Sequence, residues 1–287
     1  GLFLPLDREG KSNWKQRMID TKGKVYIVGG GPGDPELLTL KAKRIIESAD
    51  LVIFADSLVP PEIVEYAKEG ARVVGSKELS LDEIMELELS AVREGKTVAR
   101  VQSGDPSIYG AILEQMRILD REGVEFEIIP GVSAAFAAAA VLKSELTVPE
   151  KSQTVILTRM EGRVAMPEGE QLKDLAAHGC TMVIFLSITR MTKVVRELTS
   201  SGYTEDTPVA VVYRVGWPDE LVIRGTLKDI ASKVRAAKIT LQALIIVGDA
   251  VDPGLDAAGA VSHLYSADYT HRYRRGSGAQ ASGNGKG

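Results

Sequence analysis

Acidic side chains lie in two glycine-rich loops in the first half of the chain. Asp34 lies in the loop at residues 29–39, and Asp105 lies with Tyr109 in the loop at residues 104–110. Each loop follows an apolar, strand-like run and precedes a helical pattern. In open α/β sheets ligands bind at the carboxyl ends of the strands. The two loops therefore predict a pocket that holds a small molecule.

The first loop does not match a dinucleotide-binding fingerprint. From Gly29 it reads Gly-x-Gly-x-x-Asp, so the third glycine of that fingerprint is replaced by Asp34. Pro32 and Pro35 also remove amides that could bind a pyrophosphate. In the second loop, Asp105 has two compatible interpretations. It caps a helix whose first residue is Pro106, or it lines a site, or it does both.

Four segments together resemble the tetrapyrrole methyltransferase superfamily, whose members use S-adenosylmethionine without the usual Rossmann motif. Three further segments resemble, within it, the enzymes that methylate C-11 of precorrin-4 or cobalt-precorrin-4 in cobalamin biosynthesis. The resemblance extends from about Lys24 to Pro253. The superfamily segments are 31–39, 55–59, 104–110 and 129–134, and the narrower ones are 109–115, 153–163 and 217–220.

The resemblance implies a homodimeric enzyme that binds the methyl donor S-adenosylmethionine and a tetrapyrrole substrate in a cleft between two domains. Donor contacts in relatives come largely from backbone, which agrees with the small residues in the matching segments. The implied donor residues of the first domain are Pro32, Gly104, Asp105, Ile108, Tyr109, Ser133 and Ala134. Those of the second domain are Leu186, Val215, Ala243 and Leu244.

The acceptor of such enzymes carries several acetate and propionate groups, so its site should present guanidinium or ammonium groups. Arg159, Arg163 and Arg214 are the implied substrate-binding residues, and Arg190 and Lys193 are further candidates. For each of them the alternative is an exposed or salt-bridged surface residue.

The implied catalytic residues are Asp56 and Tyr109. Asp56 follows an apolar run and occupies a position similar to that at which related uroporphyrinogen methyltransferases carry an acid, with a lysine further along, roughly where Lys77 lies. An acid there could remove a proton from the macrocycle. Alternatively, Asp56 caps the next helix or turn, and Tyr109 positions the donor or the macrocycle. The segment 75–80 departs from the Ala-Gly-Met-like segment of the C-11 enzymes.

Composition agrees with a cytoplasmic enzyme. Of 287 residues, 44% are hydrophobic and 26% are charged, which suffices for two domains. Cys180 is the single cysteine and the three histidines are scattered, so we expect neither disulfides nor a metal site. The net charge of −4 argues against nucleic acid as a partner. No apolar run predicts a membrane span.

Alternating strand and helix patterns predict two α/β domains, at residues 24–143 and 144–252. We expect an N-terminal extension at 1–23 and a disordered tail at 253–287. Alternative functions are methylation at C-20 or at C-2 and C-7 of another tetrapyrrole, a diphthine or rRNA ribose methyltransferase, and a ligand-binding module without activity. The predicted strands are 25–28, 51–54, 73–74, 98–101, 126–129, 155–157, 182–186, 209–213, 222–225 and 244–248. The predicted helices are 37–47, 81–93, 111–121, 133–142, 171–178, 192–200 and 227–236.

Overall fold

A computed structural model describes residues 23–252, and the chain divides between Ala134 and Ala135 into two compact units. The sequence interpretation placed this division after residue 143. The predicted tail, and all of the predicted N-terminal extension except Gly23, lie outside the described residues. Both units combine a five-stranded sheet with helices, which confirms the predicted α/β class.

The first unit contains a parallel sheet with the strand order β3-β2-β4-β1-β5. All four strand pairs are parallel, as the alternation of strands and helices predicts. The carboxyl ends of its five strands therefore share one edge. The strands are β1 Val25–Gly29, β2 Leu51–Phe54, β3 Arg72–Gly75, β4 Val98–Gln102 and β5 Phe126–Ile129. The helices are α1 Leu40–Ser48, α2 Pro61–Val64, α3 Leu81–Arg93 and α4 Leu113–Arg121.

Apolar side chains alternate across this sheet and form a core on each face. Successive residues of a strand point to opposite faces, so β1 contributes Tyr26 and Val28 to one core and Val25 and Ile27 to the other. Helices cover both faces, which makes the unit a three-layer α/β/α arrangement. The first core includes Ala42, Ile45, Ile46 and Ile63, and the second includes Met85, Leu89 and Leu119.

Two helix starts follow from capping side chains. The Oγ1 atom of Thr39 accepts a hydrogen bond from the amide of Ala42 at 3.1 Å, so α1 begins at Leu40. The predicted helix over residues 37–47 is wrong in its first turn, because Pro35–Leu37 forms a separate 3₁₀ turn. Ser80 and Glu83 form a reciprocal capping box that starts α3 where the sequence predicts it.

The second unit contains a mixed sheet with the order β6-β7-β10-β8-β9. Strands β6 and β7 are parallel, whereas β10 lies antiparallel to both β7 and β8. The amino end of β10 therefore lies at the same edge as the carboxyl ends of β6, β7 and β8. The strands are β6 Val155–Arg159, β7 Thr181–Phe185, β8 Pro208–Tyr213, β9 Leu221–Thr226 and β10 Ala243–Val247. The helices are α5 Ala134–Val141, α6 Leu172–Ala176, α7 Met191–Thr199 and α8 Ile230–Ala236.

Within residues 23–252, no helix has the length and apolar character needed to cross a bilayer. The same residues contain no cluster of three or more His, Cys, Asp and Glu side chains that could hold a metal ion.

Candidate functional site

Three loops of the first unit are joined through the backbones of their glycines. They follow β1, β4 and β5, which are adjacent in the sheet. Gly31 and Gly104 exchange backbone hydrogen bonds of 3.2 and 2.7 Å. A Cβ atom on Gly131 would lie 2.2 Å from the Gly104 oxygen, and one on Gly29 would lie 2.5 Å from the Gly131 nitrogen. Only glycine permits this approach, so the three loops are fixed relative to one another.

Asp105 links two of these loops and does not cap a helix. Its Oδ2 accepts a hydrogen bond from the Gly131 amide at 2.9 Å, and its Oδ1 accepts bonds from the amide and hydroxyl of Ser107. Burial raises the pKa of this carboxyl, but the bonds from Ser107 and Gly131 outweigh that effect and hold the pKa below its ordinary value. The prediction of a helix beginning at Pro106 is wrong, because the Asp105 carboxylate bonds across to the β5 loop and α4 begins only at Leu113.

The segment before α4 adopts backbone conformations that side chains disfavour. Tyr109 and Ala111 have φ values of 55° and 51°. A Cβ on Gly110 would lie 2.2 Å from the Pro106 oxygen. Such left-handed residues are uncommon and concentrate at functional sites, where they are held by their surroundings. They also explain why the helix predicted from residue 111 starts later.

Six of the seven implied donor residues of the first unit lie on the three joined loops, and the seventh, Ala134, is the first residue of α5, directly after the β5 loop. Among them, Pro32 and Ser133 are buried, whereas Tyr109 is 45% exposed. None of the seven carries a cationic side chain, and a sulfonium ion is compatible with backbone carbonyls and with the ionised Asp105. The residues present therefore fit the methyl donor, and their contact with it stays a prediction. The seven are Pro32, Gly104, Asp105, Ile108, Tyr109, Ser133 and Ala134.

Asp56 lies at the same sheet edge, after β2, and pairs with Lys77. Its Oδ1 accepts a hydrogen bond from the Lys77 amide at 2.8 Å, and its Oδ2 lies 3.7 Å from the Lys77 ammonium nitrogen. The carboxyl lies over Gly75, where a Cβ would approach its Cγ to 2.6 Å. The interpretation of Asp56 as a helix cap is wrong, since the next helix, α2, has no side-chain cap.

Two buried charges on the α3 face of the sheet were missed from the sequence. Arg100 of β4 donates from Nη1 to the Ser76 hydroxyl at 3.1 Å and to the Ile53 carbonyl at 3.4 Å. Glu88 of α3 is fully buried, and neither of its carboxylate oxygens has a hydrogen-bond partner among the described residues. Burial raises the pKa of Glu88 to about 7, although the Arg100 guanidinium opposes this. Two features of the sequence could have indicated these buried groups: Arg100 lies within an apolar strand, and Glu88 lies on the apolar face of a helix.

Burial also lowers the pKa of the Arg100 guanidinium. The negative charges of Glu88 and Asp56 act in the opposite direction and favour its charged form. Arg100 is thus electrostatically coupled both to the interior of the unit and to the edge where Asp56 lies.

The implied residues of the second unit gather at one edge of its sheet. Leu186 follows β7 and is 73% exposed with φ 54°, while Arg214 follows β8 with φ 46°. Ala243 and Leu244 begin β10 and pair with Tyr213 and Val212 of β8. Val215, next to Arg214, is buried. The structure thus brings these positions together within the second unit, and their contact with the donor stays a prediction.

Arg159 and Arg190 hold the loop after β6 through its carbonyl oxygens. Arg159 donates from Nη1 to Val164 at 3.2 Å and from Nη2 to Ala165 at 3.3 Å. Arg190 donates from Nη1 to the Glu161 carbonyl. Arg163, on this same loop, is exposed. Arg159, the last residue of β6, therefore shapes this loop, and Arg163 on the loop is presented to solvent.

Arg214 has several partners within its own unit. Its Nε donates to Asp219 at 2.8 Å and its Nη1 donates to the Gln242 side chain at 2.6 Å. Its guanidinium carbon lies 3.9 Å from the centre of the Trp217 ring. The guanidinium is thus held in place at the edge by a salt bridge, as the alternative interpretation expects, and its contact with a substrate carboxylate stays a prediction. Lys193, a further candidate, pairs with Glu197 at 3.4 Å within α7.

Comparison with known proteins gives a family match over most of the chain. The family described as Tetrapyrrole (Corrin/Porphyrin) Methylases matches residues 24–231. The cobalt-precorrin-4 C(11)-methyltransferase of Methanocaldococcus jannaschii is 53% identical over 257 residues, which cover 90% of this chain and 98% of that protein. The precorrin-4 C(11)-methyltransferase of Pseudomonas aeruginosa is 49% identical, covering 88% of this chain and 99% of that protein.

Solved structures agree with these matches. The X-ray structure of a cobalt precorrin-4 methyltransferase superposes with a TM-score of 0.79 at 50% identity and covers 80% of this chain and 97% of that one. The uroporphyrin-III C-methyltransferase of Thermus thermophilus, complexed with S-adenosylhomocysteine, gives a TM-score of 0.67 at 30% identity, covering 84% and 99%. The resemblance identified from the sequence motifs is confirmed.

Proposed function

The chain belongs to the tetrapyrrole (corrin/porphyrin) methylase family, and we propose that it transfers a methyl group from S-adenosylmethionine to C-11 of precorrin-4 or cobalt-precorrin-4. The observation that carries this proposal is identity of about half, over nearly the whole length of relatives that bear this activity in their names. The three joined loops support it, because they hold all the implied donor residues of the first unit except Ala134, which follows directly after the β5 loop.

In the proposed reaction the donor supplies an electrophilic methyl group on a sulfonium centre. The joined loops hold it through backbone atoms, and the glycine contacts keep these loops rigid, which lowers the entropy cost of aligning two reactants. Asp105 acts as a brace between the β4 and β5 loops, since its oxygens are occupied by Ser107 and Gly131. Tyr109, exposed beside them, contacts the donor or the macrocycle.

Asp56 is the proposed proton acceptor. As C-11 forms a bond to the methyl carbon, the bond between that carbon and sulfur breaks. The macrocycle gains the positive charge that the sulfonium loses, and it becomes neutral again by releasing a proton. The Asp56 carboxylate takes this proton, and Lys77 holds the carboxylate in place through its amide and through its ammonium nitrogen, which lies 3.7 Å from Oδ2.

Guanidinium groups of the second unit are proposed to bind the carboxylates of the acceptor. Arg163 is exposed and Arg214 is oriented by Asp219 and Gln242, so both present cationic groups. Arg159 contributes by shaping the loop that carries Arg163. We further propose a cytoplasmic homodimer that acts on a small-molecule tetrapyrrole, with neither nucleic acid nor membrane as a partner.

A single-turnover assay with methyl-labelled S-adenosylmethionine tests the proposal. Precorrin-4 and cobalt-precorrin-4 are offered separately, and the label is located by mass spectrometry and carbon NMR. We expect label on C-11 of at least one of them. The Asp56→Asn variant should bind the donor normally and transfer methyl about a hundredfold more slowly, which lies within the usual range for a lost acid or base.

Lys96→Ala is the matched control, because Lys96 pairs with Glu94 after α3 and lies before β4, away from the carboxyl edge. This variant should react at the wild-type rate. Failure of the wild-type protein to methylate either corrinoid, beside an active C-11 methyltransferase, would overturn the proposed acceptor. Donor binding without transfer would then direct the search to another tetrapyrrole.

A further inference from the structure

A path of hydrogen bonds leads from the buried Arg100 to the edge at which Asp56 lies. Arg100 donates to the Ser76 hydroxyl at 3.1 Å, and that hydroxyl donates to the Phe54 carbonyl at 3.1 Å. The Ser76 amide donates to the same carbonyl at 2.9 Å. Ser76 immediately precedes Lys77, whose amide donates to Asp56. The path therefore joins the loop after β3, which carries Lys77, to the end of β2, which precedes Asp56.

Burial of the Arg100 guanidinium does not by itself stabilise the folded state. Its Nε atom has no hydrogen-bond partner among the described residues, and neither has the buried carboxylate of Glu88. Charges taken out of water lose hydration that imperfect pairing does not restore, and apolar residues of similar volume are often as stable in such places. Stability therefore does not account for the buried Arg100, whereas its link to the adjacent edge gives it a role there.

We propose that Arg100 is a positioning residue that acts through Ser76 to hold the loops after β2 and β3 at the spacing that pairs Asp56 with Lys77. Arg100 also donates to the Ile53 carbonyl at 3.4 Å, so one guanidinium bonds both strand β2 and the loop after β3. The inference rests on the proposed role of Asp56 as proton acceptor. Arg100 itself touches neither donor nor acceptor in this proposal.

A double-mutant cycle between Ser76 and Asp56 tests the proposal. Ser76→Ala removes the hydroxyl link, and we expect kcat to fall about tenfold while the donor Kd changes less than about twofold, because a small displacement of a catalytic group is costly. In an Asp56→Asn background the same substitution should change kcat less than about twofold. Ser48→Ala is the control, since the Ser48 hydroxyl also bonds a backbone carbonyl, that of Ile45 at the end of α1.

Additive losses in the cycle would overturn the proposal, because Ser76 would then act independently of Asp56. Arg100→Met should reproduce the Ser76→Ala effect on kcat. If Arg100→Met does not fold, the result for Ser76→Ala decides the proposal. A second readout needs no substrate. Hydrogen exchange at the Lys77 amide should accelerate about tenfold in Ser76→Ala and stay unchanged in Ser48→Ala. Unchanged exchange in Ser76→Ala would refute positioning even if the wild-type protein methylated neither corrinoid.

Discussion

Replacing Glu88 with glutamine should remove a loss of stability that the first unit otherwise undergoes as pH rises. The Glu88 carboxyl is fully buried, and its pKa is raised from 4.5 to about 7. Because the folded state holds this proton more tightly than the unfolded chain, the free energy of unfolding falls as pH rises from about 4.5 to about 7 and then levels off. Glutamine keeps the shape of the side chain and cannot ionise, so the variant lacks this loss.

The size of the effect follows from the two pKa values. Each pKa unit corresponds to about 1.4 kcal/mol, so full ionisation of Glu88 costs the folded state about 3 kcal/mol, of which about 2 kcal/mol is lost between about pH 5.5 and about pH 8.5. Other titrating groups affect both proteins equally. The wild type should therefore lose about 2 kcal/mol more than Glu88→Gln over this interval.

Urea titration at the two pH values measures this difference. Hydrogen exchange of peptides that contain β2 and β4 makes the readout specific for the first unit, which is needed because two units can unfold separately. Glu86→Gln is the matched control, since Glu86 lies on the same helix and is exposed. Equal losses in wild type and Glu88→Gln would refute the reasoning that burial suppresses ionisation of Glu88.

Three further substitutions separate packing from binding. Gly131→Ala places a Cβ 2.2 Å from the Gly104 oxygen and should lower the free energy of unfolding by about 1–3 kcal/mol. It should also weaken S-adenosylhomocysteine binding at least about tenfold, measured by calorimetry, and unchanged binding would contradict the joined-loop account. Ser80→Ala should lower the free energy of unfolding by about 1 kcal/mol through loss of the α3 cap, measured by urea titration. Leu186→Gly should change the free energy of unfolding by less than about 1 kcal/mol, because relief of the positive φ offsets the greater conformational entropy of glycine in the unfolded chain. It should nevertheless weaken donor binding, and retained affinity would remove Leu186 from the donor site.

Apolar periodicity, together with turn and capping residues in the sequence, was enough to predict most elements of the fold. Strands β2 and β5 and helix α3 occupy the predicted residues, because apolar alternation and the Ser80 cap are local signals. The short helix α2 was missed, since four residues carry no periodic pattern. The direction of β10 was not predictable either, because an apolar run looks the same in a parallel and an antiparallel strand.

The site was partly predictable for a similar reason. The loop that contains Gly104 was found because glycine and proline mark turns locally, and the family resemblance implied that Gly104 binds the donor. The bond from Asp105 to Gly131 joins residues distant in sequence, and the local rule for helix capping therefore gave the wrong partner. Glu88 and Arg100 were overlooked because the helical and strand patterns tolerate a single charge, and only the folded packing shows that both are buried.

The contact among Gly29, Gly104 and Gly131 has a consequence for how this protein can change during evolution. A contact between side chains can be repaired when its partner mutates, and such pairs leave correlated substitutions. These three glycines meet through main-chain atoms, which every residue type shares, so no exchange at one position compensates a change at another. Methods that infer contacts from correlated substitutions should therefore detect nothing at the point where the three loops depend on one another most.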